Sequence, residues 1–327
     1  MKLITRRTAL LAMPSIAFLA HATRASAQTY PDGNIRVLCA FPPGAGLDLM
    51  VRFFANKLQP ICGRPVLVEN RPGAGGAIAT EALTRAKPDG YTIFLHAGNA
   101  MAATHHLIKN NPLDARQKIT IAATISRQSF VLAVDADSPW KTLAELTAHL
   151  KQKGDKATFA TGGIGVAVGD VMGAIYNQAM GLQAVPVNYK TADASLNDLR
   201  AGQVDFGCYD PVFAIGQRRE GRLRVLAVAS KDRRATLPDV PSMTELGVPM
   251  DLLGWFALMV PAGTDPAIVA QLNAWTRQIL ADAEMIKFLA SFGGDPWVST
   301  PAEGQARLNQ DIDAWAEFVR IAKLQPQ

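Results

Sequence analysis

The sequence predicts an α/β protein built of two open domains joined by a two-stranded hinge, with a cleft between them. Three observations predict it. Short β-rich runs alternate with helical ones, glycine-rich turns follow several of the strand ends, and 327 residues exceed what one hydrophobic core usually serves. Repeated strand–helix alternation argues for mostly parallel sheets covered on both faces.

Taken in order, 35–41 reads as a strand, 47–58 as a helix, 66–68 as a strand, 78–86 as a helix and 91–96 as a strand. The theme then repeats. A strand at 130–134 precedes a helix at 142–152 opened by Ser138-Pro139-Trp140. A strand at 157–160 runs into Thr161-Gly162-Gly163-Ile164-Gly165 and a helix that continues to Met180. A strand at 184–187, a helix at 194–201 and strands at 204–208 and 224–229 complete that unit. The apolar run 253–261 is a further strand, followed by amphipathic helices near 267–280 and 302–322. These last elements need a sheet to cover, and the first unit has few strands of its own. The chain is therefore expected to return: domain 1 is 28–126 with 250–327, and domain 2, 127–249, is inserted through crossings near 124–130 and 229–253.

The first 27 residues read as an export signal: Lys2, Arg6 and Arg7, an apolar run from Ala9 to Ala20, then Ala25-Ser26-Ala27 as the cleavage site. Thr5-Arg6-Arg7-Thr8 suggests the twin-arginine route. Losing Lys2, Arg6, Arg7 and Arg24 takes the net charge from +5 to +1, so the basic balance belongs largely to the signal. No basic run interleaved with aromatics remains, which argues against nucleic acid as a partner. No later segment has the length and apolarity of a membrane span. Cys39, Cys62 and Cys208 show none of the close spacings used for metal or redox sites, which leaves buried thiols or a Cys39–Cys62 bridge.

Open α/β sheets bind ligands at the carboxyl ends of their strands, where helix N-termini present unpaired N–H groups. Candidates there are Phe41–Asp48 with Pro43, Gly44 and Ala45, the turn Gly73–Gly76, the stretch His96, Ala97, Gly98 and Asn99, and the turn from Thr161 to Gly165. Gly44-Ala45-Gly46 lacks the third glycine and the later acid of a dinucleotide site, and Gly162–Gly165 lacks the lysine and hydroxyl of a phosphate loop. No cofactor and no metal are expected. Asp48 either caps the first helix or faces the cleft. Adjacent His105 and His106 point apart on a helix and make a poor metal pair. Asp205 and Asp210 are spaced like an acid–base pair, but no nucleophile arrangement completes one, so no catalytic residue is nominated. Tyr189 and Tyr209 could offer a ring and a hydroxyl to a ligand, or simply pack.

Several stretches together resemble the Bug-type solute receptors of tripartite tricarboxylate transport systems, periplasmic binding proteins of bacteria. The similarity rests on Phe41-Pro42-Pro43-Gly44 with Asp48 and Arg52, Val68-Glu69-Asn70-Arg71-Pro72-Gly73-Ala74-Gly75-Gly76, Lys87-Pro88-Asp89-Gly90-Tyr91-Thr92, Ala201-Gly202-Gln203-Val204-Asp205, Leu237-Pro238-Asp239-Val240-Pro241 and Pro261-Ala262-Gly263-Thr264. The resemblance implies a two-lobed fold of the type II-like periplasmic binding protein kind. It also implies that the lobes close on a small carboxylate held mostly by backbone N–H groups and waters, and that the receptor is a monomer. Carried onto this chain, it nominates Phe41, Pro43, Gly44, Ala45, Asp48, Gly163, Gly165 and Asp205, with His96, Gly98 and Asn99 lining the cleft beside Thr161, Val166, Tyr189 and Tyr209. The expected partners are a small organic acid and membrane transporter subunits. A sensor that signals to a membrane partner, or a secreted hydrolase or lyase, is the alternative. The family's Gly-x-Gly-Ser-x-x-His is here Gly163-Ile164-Gly165-Val166-Ala167-Val168-Gly169, which removes a hydroxyl and an imidazole. A less polar, aromatic acid is therefore expected rather than a common dicarboxylate.

Overall fold

A computed structural model describes residues 30–44, 46–109, 113–162 and 166–326. The expected signal at 1–27 and the nominated Ala45, Gly163 and Gly165 lie outside the described residues. Strand β1 (Ile35–Cys39) buries Ile35, Val37, Leu38 and Cys39 and turns into α1 (Gly46–Cys62). In α1 the buried Met50, Val51, Phe54, Ala55 and Leu58 recur at helical spacing and form the stripe that faces the sheet. β2 (Val66–Asn70), α2 (Ala77–Thr84), β3 (Thr92–Ala97), α3 (Gly98–Leu107), the single turn α4 (Ala115–Lys118) and β4 (Ile119–Ser129) follow.

One residue later the chain enters β5 (Val131–Asp135), then α5 (Leu143–Lys153), β6 (Thr158–Gly162), α6 (Val166–Met180), β7 (Val185–Tyr189), α7 (Ala192–Arg200), β8 (Phe206–Tyr209), α8 (Pro211–Arg219) and β9 (Leu223–Val228). It then returns through β10 (Leu253–Pro261), α9 (Pro266–Leu280), α10 (Ala283–Ser291), β11 (Gly294–Pro296) and α11 (Pro301–Ile321). Several helix starts are set by local sequence. Thr142 with Glu145, and Thr300 with Glu303, form capping boxes, and Asp210, Asp265 and Asp282 cap α8, α9 and α10.

The strands form two sheets, and with their helices these make two lobes. The first sheet has six strands in the order β11-β4-β10-β3-β1-β2, and the second has five in the order β7-β6-β8-β5-β9. The sheets are more mixed than the alternation suggests. β1, β2 and β3 run parallel, as do β6, β7 and β8, because helical crossovers join them. β10 is antiparallel to both β3 and β4, and β5 to both β8 and β9, because the strands adjoining the inter-lobe crossings run the opposite way. β4 continues in the first sheet to Ser129 rather than serving only as a connection.

Buried side chains fall into three clusters. One fills the α1, α9 and α10 face of the first sheet, and another lies on one face of the second sheet. The third continues from Phe94, Met101 and Trp255 in the first lobe, by way of Leu308 and Trp315, to Phe159 and Tyr176 in the second. Cys39, Cys62 and Cys208 are all free thiols, so Cys39 and Cys62 are not bridged.

Candidate functional site

A cavity of about 720 Å³ opens between the lobes, within the range usual for small-molecule sites. The first lobe contributes Phe41 after β1, Leu47 of α1, the turn Gly73 to Gly76, His96 and Ala97 at the end of β3, and the inner face of α3. Phe256, Phe292 and Trp315 come from β10, the segment after α10, and α11. From the crossing and the second lobe come Gln128, Phe130, Ala167, Val168, Asp210, Val212 and Phe213. Among the described residues no lysine or arginine lines it.

Helix N-termini of both lobes converge on this space, since α3 begins where β3 ends, α6 where β6 ends and α8 where β8 ends. They are not equivalent. Ala97, the residue before α3, gives no side-chain cap, so the first-turn amides of α3 remain open to a ligand. At α8 the Asp210 carboxylate accepts the Phe213 N–H at 3.1 Å and already occupies that helix's positive end. Close packing fixes the start of α3, since a Cβ on Gly98 would lie 2.1 Å from the Trp255 ring.

His96 is 2% exposed, and neither ring nitrogen has a hydrogen-bond partner of normal geometry among the described residues. Its ring stacks on Phe94 with centroids 4.9 Å apart and leans on Phe41 at 5.6 Å. Gly76 makes room for it, because a Cβ there would sit 2.4 Å from Nε2. Burial pulls the imidazole pKa down to about 4, weakly opposed by the Gly75 backbone nearby, so the ring is neutral at ordinary pH. Gln128 is 9% exposed, and its side-chain amide has no protein partner among the described residues. Asn99 accepts the Trp255 N–H through Oδ1 at 3.4 Å.

The structure places the other nominated residues differently. Asp48 is fully buried and does not line the cavity: it accepts from the Gly44 N–H at 2.8 Å, Arg52 Nε at 2.8 Å and Asn70 Nδ2 at 2.7 Å. It staples the first loop, and the Gly44 N–H is consumed within the protein. Asp205 lies just before β8, beside the start of β6, held by Lys153 Nζ at 2.7 Å and the Thr158 N–H at 2.8 Å. That is the opposite end of the strand from Thr161, so Asp205 does not reach the cavity. The buried Thr161 hydroxyl is engaged by Asp170 at 3.0 Å and Asn188 at 3.2 Å. Tyr189 donates to Asp198 at 2.7 Å, and Tyr209 is 1% exposed beside Ser195, so both belong to the packing of the second lobe. Pro43 is exposed outside the cavity lining, and Val166 opens α6 next to the lining Ala167.

Sequence reasoning missed Gln128, Phe130, Phe213, Phe256, Phe292 and Trp315 as lining residues. Asp210-Pro211 carried a readable signal, a cap followed by proline in the first turn, that marks a helix start after a strand. Nothing local marks Trp315, which α11 delivers from far along the chain. Among the described residues no group of three His, Cys, Asp or Glu side chains could hold a metal, and His106 Nε2 lies 2.7 Å from the Ile312 carbonyl. No helix of the described residues is long and apolar enough to cross a membrane.

Residues 50–322 match the family model described as tripartite tricarboxylate transporter family receptor. The chain belongs to this receptor family. Protein BugT of Bordetella pertussis is 32% identical over 93% of this chain and 94% of its own length. A TctC solute binding protein from Polaromonas superposes with a TM-score of 0.78 at 25% identity, covering 89% of this chain and 99% of that one. MatC from Rhodopseudomonas palustris, solved with bound malate, superposes at 0.70 with 26% identity, over 89% of this chain and 100% of that one. The protein is thus a periplasmic solute-binding receptor of the tripartite tricarboxylate type and not an enzyme.

Proposed function

We propose that this receptor captures a small organic acid with an apolar, aromatic body in the inter-lobe cavity and presents it to the membrane subunits of its transporter. The observation that carries the reading is the uncapped N-terminus of α3, opening on a cavity walled by phenylalanines. Amides at a helix start hold a carboxylate without any cationic side chain, as suits a cavity lined by none. Phe41, Phe130, Phe213 and Phe256 offer faces and edges to a ring, and the malate held by MatC supports a carboxylate as the shared handle. Ligand binding then works as a population shift between open and closed lobes, with residues 127–249 swinging as a unit against the remainder. The working form is a monomer, exported with cleavage after Ala27, in the manner of a twin-arginine substrate.

A calorimetric screen tests the reading. Benzoate, phenylacetate and related aromatic acids are expected to bind and to raise the melting temperature. Tight binding of malate, citrate or aspartate with no aromatic acid bound would reject the aromatic body, and a panel that leaves both signals flat would reject capture of acids altogether.

A further inference from the structure

We propose that Asp210 is a charge filter that restricts the cavity to ligands bearing a single carboxylate. The inference rests on the acid-capture reading above and concerns which acids that same site accepts.

The cavity has one charged side chain on its wall among the described residues, and that charge is negative. Asp210 comes from the second lobe and lines the same cavity as the start of α3, and it makes no ion pair among the described residues. Its carboxylate is fixed by the Phe213 N–H at 3.1 Å, so it cannot simply rotate away. Burial pushes its carboxyl up, opposed by hydrogen bonds from the backbone of Phe213 and Val212, so the filter acts at pH values where the group is ionised. No lysine or arginine lines the cavity beside it among the described residues. The buried His96 and Gln128 side chains on the wall are neutral, and neither has a side-chain hydrogen-bond partner of normal geometry among the described residues. They can satisfy a hydroxyl, carbonyl or amide on a ligand, but they cannot offset a second carboxylate.

The asymmetry of the helix ends completes the argument. A carboxylate at α3 meets open donors, whereas α8 has its positive end occupied by Asp210. A diacid that seats one carboxylate at α3 and extends across the cavity brings its second one toward Asp210. Two like charges about 7 Å apart at an effective dielectric of about 20 weaken binding roughly fiftyfold. Where acids of two charges are the cargo, this residue is the one expected to be neutral.

The test compares matched pairs, hexanoate with adipate and benzoate with terephthalate, on the wild-type receptor and on Asp210→Asn and Asp210→Ser. Asparagine and serine both cap helices well, so α8 keeps its start. The wild type is expected to favour each monoacid by at least about tenfold, and both variants to narrow that ratio by about tenfold, chiefly by tighter binding of the diacid. A ratio unchanged by either variant, or equal weakening of both members of a pair, overturns the filter and leaves acid capture standing. Failure of every acid to bind the wild type overturns capture and filter together.

Discussion

Gly98 and Trp255 meet so closely that a methyl group at Gly98 would overlap the indole, at 2.1 Å. The indole is also tethered by Nε1 donating to Asp311 at 2.6 Å, a bond that any shift of the ring would disturb. Gly98→Ala is expected to cost about 1–3 kcal/mol and to weaken ligand binding by displacing the first turn of α3. Thermal melts and calorimetry on the same preparation check both effects. A variant that melts and binds like the wild type would show that the ring yields.

Asp48 organises the first loop through Gly44, Arg52 and Asn70. Burial pushes its carboxyl up, but the hydrogen bonds from Arg52, Asn70 and Gly44 outweigh it and hold the group below the usual carboxylate range. A depressed folded pKa stabilises above the unfolded value, and the gain is lost as pH falls through the folded one. Asp48→Asn should therefore destabilise by about 1–3 kcal/mol at pH 7, with a gap that closes in acid. Chemical denaturation at pH 7 and pH 3 measures it.

The buried imidazole of His96, with its pKa lowered from 6.5 to about 4, gives a second pH signature. The unfolded chain takes up the proton first, so stability is complete above about pH 6.5 and falls progressively as pH drops toward 4, by about 3 kcal/mol. His96→Leu should flatten that slope relative to the wild type. Parallel slopes between pH 7.5 and 4.5 would exclude His96 as its source.

Arg234, after β9, and Asp295, in β11, form an ion pair that ties the segment leaving the second sheet to the first, with Arg234 only 7% exposed. Beside it Thr236 donates to the Gly293 carbonyl at 3.3 Å, and the adjoining Phe292 lines the cavity. Arg234→Met leaves the partly buried Asp295 carboxylate without its partner and is expected to cost about 1–3 kcal/mol. Equilibrium unfolding gives the cost, and solution scattering should show a larger radius of gyration as the lobes part.

Much of the fold was readable because its signals are local. The largely apolar run of β1, the apolar stripe of α1 and the continuous run of β10 are visible in the residues themselves. Helices α3, α8 and α10 were not read: α3 opens on Gly98-Asn99 without a capping side chain, and the Asp210-Pro211 start was weighed as an acid rather than a cap. β4 escaped because Thr120, Thr124, Ser126, Arg127 and Gln128 make it look like a connection, although most of it is buried.

The site was legible only on one side. Turns at strand ends located Phe41, His96 and Asn99, since that rule depends on topology alone. It could not say which polar atoms the protein uses for itself. Asp48, Thr161 and Tyr189 satisfy internal partners, and Asp205 belongs to the wrong end of its strand. Phe292 and Trp315 reach the cavity through tertiary packing, which no local pattern encodes.

The apolar seam from Phe94 through Trp255 and Trp315 to Tyr176 joins the two lobes below the cavity. Neither half owns a complete interior. The two halves are therefore expected to denature together on warming, in one calorimetric transition.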